Sequence, residues 1–425
     1  MVRRALDALF VILALAAASL TLAATALDGT GLVPAWLQVD KESSNLEVRA
    51  YARRPELSLA SLADGSYQNG FEDWLNDSIP RRDDAMMLNG TWQRLPISLA
   101  AAALGYEVYP TFYGSDLVYW PERMSAIASS RSADAETTER LARVARDISS
   151  LAAEYPGTSF YAYRVDMLEG SSMNPTASLM PDAMDTEWFT ENFYGLLEGV
   201  DVIDTGLYGD YGTGDESIYE DFFRTDHHWH GTTAYRAYAA CLERMLGSAE
   251  DPAEIISEYV VEVPFYGTGS RLGRCDAVDP DYIRDYEVNL SGLRVWVDDN
   301  TGWREVGTDA LVSTDRYRAG DVDTDRYLLR YEDYFHGNYQ LLRVENPGAA
   351  HPERTLLMVV DSYSNPMERF FAQNYGTVIA WDPRGSTRTL RSLMEEWQPD
   401  DVLMMCCATA LNYDTVLAVL EGPAS

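Results

Sequence analysis

Apolar residues recur at helical spacing in Leu141, Val144, Ala145, Ile148, Leu151 and Ala152, and the stripe stops at Pro156-Gly157. Positions three and four apart share one face of an α-helix, so this stretch predicts an amphipathic helix with one buried side. Ser159 to Val165 follows as a short strand. Asp185 is placed to cap a helix running through Leu197, and Val202-Ile203 reads as a second short strand. Thr232 is placed to cap another helix, with Tyr235, Tyr238, Ala239, Leu242 and Met245 on its inner face. Leu356 to Val360 is continuously apolar, as a central parallel strand is when both its faces are covered. Asn365-Pro366 opens a predicted helix that Gly376 closes, Thr377 to Trp381 is a strand, a helix runs to Trp397 before Pro399, and Val402 to Cys407 is the last strand. Strands alternating with helices predict an α/β fold: a mostly parallel sheet covered on both faces.

Between about residues 250 and 350 this rhythm breaks into short strand-like runs, Tyr259 to Val263 and Leu293 to Val297, separated by Gly, Asp and Asn turns. That predicts a strand-rich insertion. Residues 28–110 form a mixed, largely helical segment. In it Phe71, Trp74 and Leu75 share a helical face, Pro80 stops that helix, and Met86 to Leu104 is apolar and helical. Residues 111–425 then hold the α/β domain.

The first 27 residues carry a different signal. Arg3 and Arg4 precede a run without charge from Ala8 to Ala26, and Ala24-Thr25-Ala26 fits a small-x-small cleavage site. This reads as a signal peptide. An uncleaved N-terminal membrane anchor is nearly as good a reading, because Ala8 to Leu27 is about as long as a bilayer-spanning helix. Both readings keep the two arginines cytoplasmic and export the rest.

Composition narrows the partners. The chain of 425 residues has 33 basic and 67 acidic side chains, a net charge of −34. Such a chain repels phosphate backbones, which argues against nucleic acid, and it repels anionic lipid. Four cysteines and no CxxC give no disulfide framework and no zinc ribbon. Cys406 and Cys407 read as small core residues, and pairing of Cys241 with Cys275 is left open.

Three of the five histidines fall in Arg224-Thr225-Asp226-His227-His228-Trp229-His230. On an extended loop, residues two apart point the same way, so Asp226 and His228 face one site while His227 points away. Asp226 then fixes the imidazole tautomer, and His228 serves as a base. Ser362 follows the apolar strand directly, at the strand end where open α/β sheets bind ligands. Backbone amides of the next turn lie near it for an oxyanion. Asp226, His228 and Ser362 thus supply a hydrolytic triad, which is recognised by geometry rather than chain order. Asp226, His228 and His230 as metal ligands is the competing reading. No second ligand cluster supports it, so the sequence predicts neither metal nor cofactor. Trp229 reads as a wall of the site, and His336 and His351 as surface or structural residues.

Thr225-Asp226-His227-His228-Trp229 resembles the signature of the bacterial DHHW proteins, relatives of the alginate O-acetylation proteins in the SGNH (GDSL) hydrolase-like superfamily. Phe71 to Asp83, Phe265-Tyr266-Gly267-Thr268-Gly269-Ser270, Val360-Asp361-Ser362-Tyr363 and Asp382-Pro383-Arg384 resemble other family segments, over roughly residues 60–410. The resemblance implies an exported SGNH-like three-layer α/β/α domain with a permuted triad order, Asp-x-His before the serine. It gives Asp226, His228 and Ser362 the triad roles. The Gly and Asn that complete an ordinary SGNH oxyanion hole have no match, and Gly267 and Arg271 are the candidates in their place. The implied function is O-acetyl transfer to, or acetyl-ester hydrolysis on, an envelope or extracellular polysaccharide, with a membrane acetyl-donor protein as partner. The alternative is a non-catalytic, envelope-associated carbohydrate-binding or assembly protein on the same fold, for which 27 Tyr and 10 Trp supply stacking surfaces.

Overall fold

Leu356, Met358 and Val360 join one hydrophobic core, and Leu357 and Val359 join another. Alternation along a strand sends successive side chains to opposite faces, so an unbroken apolar run requires two covered faces. That run is the centre of the fold in this computed structural model. The structure describes residues 49–105, 107–110, 116–120, 125–128, 133–165, 184–205, 216–273, 279–313, 329–335 and 337–412, with isolated positions before and after.

The described residues divide into two units. The first holds the described residues up to 100 together with Pro110. It includes the helix Ser66–Asp77, on which the Phe71 and Trp74 rings lie 5.4 Å apart, as their shared face predicts. Among the described residues no helix is long and apolar enough to cross a membrane. Residues 1–18 of the N-terminal signal lie outside the described set.

The second unit carries the large sheet. Its strands, with a flanking hairpin, are β1 (Ser159–Tyr163), β2 (Asp201–Ile203), β3 (Ile255–Val260), β4 (Arg284–Val288), β5 (Arg294–Asp298), β6 (Arg304–Val306), β7 (Leu341–Glu345), β8 (His351–Val360), β9 (Tyr375–Trp381) and β10 (Asp401–Met405). Eight of these form one sheet in the order β6-β5-β7-β9-β8-β10-β1-β2. From β9 to β2 every pairing is parallel. β7, β5 and β6 extend the sheet antiparallel. The strand-rich stretch therefore splits: among the described residues β3 and β4 pair with each other alone, while β5, β6 and β7 widen the main sheet.

Helices cover both faces. α1 (Ala135–Glu154) buries Leu141, Val144, Ala145, Ile148, Leu151 and Ala152, the six positions of the predicted stripe. Burying each of the larger four contributes roughly 1.5–3 kcal/mol. Asp134 caps its start through the Thr137 amide, 2.7 Å away. α2 (Thr186–Asn192) is capped by Asp185 as predicted, but Phe193 ends it before Leu197. α3 (Gly231–Leu246) packs Tyr238, Leu242 and Met245 on the opposite face of the sheet. It begins ahead of Thr232, with His230 at the cap position. α4 (Leu390–Trp397) starts at a Thr389–Ser392 capping box and closes the α1 face. The result is a three-layer α/β/α arrangement around a mostly parallel core.

Two expectations near β8 are corrected. The helix predicted from Asn365 to Gly376 shrinks to Glu368–Phe371, within a run of turns. Gly376 is a sheet residue of β9, where a Cβ would lie 2.0 Å from the Pro352 carbonyl oxygen. Its glycine permits close strand approach instead of ending a helix.

Candidate active site

Ser362 lies in the turn that follows β8, and Asp361 fixes that turn. The Asp361 carboxylate accepts the Tyr363 amide at 2.9 Å and the Cys407 amide, just past β10, at 2.8 Å. The Ser362 turn is thereby anchored to the neighbouring parallel strand. Ser362's own amide donates to no protein group among the described residues.

The second loop is built around Thr225. Its hydroxyl donates to Asp281 at 2.5 Å and accepts the Gly267 amide at 2.9 Å, while its carbonyl accepts the Gly269 amide at 2.9 Å. Asp281 also accepts the backbone amides of Arg224 and Thr225. Burial raises the Asp281 pKa to about 6 against these donors, with the Asp226 charge adding to the rise. Asp226 next turns the chain back on itself: its Oδ1 accepts the His228 amide at 3.0 Å. This Asx-type turn, rather than an extended loop, brings Asp226 and His228 together.

The three groups form one chain of hydrogen bonds. His228 Nδ1 lies 2.5 Å from Asp226 Oδ1, and His228 Nε2 lies 2.7 Å from Ser362 Oγ. The Thr268 amide donates to Asp226 Oδ2 at 2.6 Å. Burial opposes ionisation of Asp226, but the two adjacent imidazoles and the bonds from His228 and Thr268 outweigh it and hold the carboxyl far below its ordinary range. A stably ionised Asp226 can orient the imidazole and stabilise its cation.

Trp229 and Tyr363 clamp the two loops together. Trp229 Nε1 donates to the Tyr363 carbonyl at 2.9 Å, and the Tyr363 hydroxyl donates to the His227 carbonyl at 2.7 Å. Trp229 is a buried brace between loops. Gly267 presents its amide to Thr225, so its contribution is different from the donor predicted for it. A Cβ there would lie 2.2 Å from Asp226 Cβ, so the glycine is what lets the two segments meet. Arg271 is buried on the short helix Thr268–Gly273, its Nη2 3.5 Å from Thr268 Oγ1.

His227 does not point away. Its ring centroid is 3.9 Å from that of His228, and its Nδ1 is 3.6 Å from Asp226 Oδ1. The tight turn at Asp226 puts both rings on one side. Asp226, His227 and His228 could together offer three ligand atoms within 4.8 Å of one another. Both nitrogens of His228 are already engaged by Asp226 and Ser362, however. His230 packs its ring 4.1 Å from Phe223, and burial, with help from the Arg284 charge, lowers its pKa to about 3. With both His228 nitrogens engaged, the protein should hold no stoichiometric zinc, as checked by metal analysis before and after dialysis against a strong chelator. His351 pairs with Glu250 at 2.9 Å, a structural role, while His336 and Cys275 lie outside the described residues. Cys241, Cys406 and Cys407 are buried free thiols.

No family model matches the chain, and no curated protein matches it. Among solved structures, Bacillus cereus PatB1 aligns at 16% identity with a TM-score of 0.54, over 69% of this chain and 96% of that one. PatB1 with a sulfonyl adduct aligns at 16% identity and 0.53, over 70% and 96%. A DHHW family protein from Eubacterium siraeum aligns at 15% identity and 0.53, over 73% and 96%. The chain thus has the α/β fold of PatB1 and of a DHHW family protein, the family its Asp226-His227-His228-Trp229 motif resembles.

Proposed function

We propose that the protein is a serine-dependent O-acyltransferase or esterase, with Ser362 as nucleophile, His228 as general base and Asp226 as the group that orients and stabilises the imidazole. The observation that carries this reading is the continuous Asp226–His228–Ser362 hydrogen-bond chain, with spacings of 2.5 and 2.7 Å. Serine alone is a weak nucleophile, and a base in direct contact is what activates it.

In the first half-reaction Ser362 Oγ attacks the carbonyl carbon of an acetyl ester, and its proton passes to His228 Nε2. The tetrahedral oxyanion forms beside the free amide of Ser362, which can donate to it. The intermediate collapses, the C–O bond to the leaving group breaks, and that oxygen takes the proton from His228. An acceptor hydroxyl then gives its proton to His228 and attacks the acetyl-serine; the second intermediate collapses, the bond from Ser362 Oγ to the acyl carbon breaks, and Oγ takes that proton back from His228. With water as acceptor the enzyme is an esterase; with a sugar hydroxyl it is a transferase. The sequence resemblance to alginate O-acetylation proteins supports a polysaccharide acceptor, and Arg3, Arg4 and the apolar run after them support work outside the cytoplasm. A reporter active only after export, fused behind Ser425, should be active; cytoplasmic activity of a complementary reporter would refute export.

The adduct seen on PatB1 supplies a direct test. A sulfonyl fluoride should modify the protein once, Ser362 Oγ displacing fluoride from sulfur. Intact-mass measurement should find one adduct on the wild type and none on a folded Ser362→Ala variant. Equal labelling of both would reject Ser362 as the nucleophile.

A further inference from the structure

The face of the His228 ring is covered by Tyr331. The two ring centroids are 3.9 Å apart and the planes differ by 1°. Tyr331 opens the short helix Tyr331–Tyr334, whose first turn is fixed by the Arg330 amide donating to Asp333 at 2.8 Å. Phe335 packs against the Tyr331 ring at 4.7 Å, and Phe223 meets it edge-on at 6.2 Å. The side chain is fully buried, and its hydroxyl has no hydrogen-bond partner among the described residues. A buried tyrosine usually finds a partner for its hydroxyl. What is satisfied here is the ring, so the ring is the part under constraint.

We propose that Tyr331 is a positioning residue for acyl transfer, its π-face holding the His228 imidazole in plane and stabilising the imidazolium formed as Ser362 loses its proton. This rests on the serine reading above. An aromatic face attracts a cation more strongly when both are shielded from water. Four other groups also lie against the His228 ring. Asp226 engages Nδ1, Ser362 engages Nε2, His227 lies beside it at 3.9 Å, and the Tyr363 ring is 5.0 Å away. The charged groups acting on Tyr331 itself are Asp226, Asp285, Glu368 and Arg369. None of them forms a hydrogen bond with its hydroxyl.

The test compares wild type, Tyr331→Phe, Tyr331→Leu and Ser362→Ala in p-nitrophenyl acetate turnover across pH. Tyr331→Phe keeps the ring and should retain kcat/KM within about twofold, with an unchanged acid limb. Tyr331→Leu should lose about 3- to 30-fold in kcat/KM on the plateau, the range expected for a shielded cation–π contact. Its acid limb should also move to lower pH, because without the aromatic face the imidazolium is harder to form. Tyr331→Met, closer in length, gives the same comparison if the leucine variant does not fold. Loss in Tyr331→Phe equal to that in Tyr331→Leu would overturn the proposal in favour of the hydroxyl. Loss in the leucine and methionine variants without movement of the acid limb would overturn it in favour of packing alone. Full turnover by Ser362→Ala would instead bring down the serine reading, and this proposal with it.

Discussion

Ser362→Ala should lower kcat for acetyl-ester hydrolysis or transfer by on the order of 10⁴- to 10⁶-fold while circular dichroism stays unchanged. The substitution removes one oxygen from a half-buried residue in a turn that Asp361 holds through the Tyr363 and Cys407 amides, so nothing that fixes the backbone is lost. His228→Ala should cost about as much, because the members of such a unit act together and their losses do not add. Asp226→Asn should cost about 10⁴-fold or less, through an imidazole held in the wrong tautomer. His227→Ala should fall between these and wild type. Its ring touches His228 and its charge helps hold Asp226 ionised, but it makes no contact with Ser362 that the triad needs. Wild-type turnover by a folded Ser362→Ala would reject the mechanism.

Gly267→Ala should lower kcat by about 10²-fold, through the position of Asp226. The added methyl would sit 2.2 Å from Asp226 Cβ and 2.6 Å from Oδ2. Asp226 cannot swing aside cheaply, because His228 and Thr268 bond its carboxylate from two sides. The loop must therefore shift by an ångström or so. Displacements of that size in a catalytic group cost about 10²-fold. Steady-state kinetics should show the loss in kcat, with a lowered Tm in thermal unfolding. A variant with unchanged kcat would mean the loop has slack that the packing does not suggest.

The central layers of the fold were legible because their signals are periodic. The α1 stripe and the unbroken run in β8 allow only a buried helix face and a doubly covered strand. Local punctuation was less informative. Asn365-Pro366 and Gly376 carry the marks of a helix start and stop, yet one sits in a run of turns and the other in β9 against Pro352. The Asp226, His228 and Ser362 grouping was legible from residue type and placement at a strand end. The orientation of His227 was not, because an Asx-type turn replaces the extended loop that the two-residue spacing suggested. Gly267 was read as a donor, whereas its value is the side chain it lacks. Tyr331 and Asp281 left no mark in the sequence. Each reaches the site from a distant segment through a contact that only the folded chain creates.

The Trp229–Tyr363 clamp joins loops 134 residues apart, as does the His228–Ser362 bond. Closing so long a segment carries an entropic penalty that local structure cannot repay in advance. During folding, neither half of the chain has any share of a working site before the strands between them are in register. If the proposed mechanism holds, recovery of turnover after denaturation should therefore lag the pairing of the strands between those loops, and a chain cut short before Ser362 should be inert rather than weakly active.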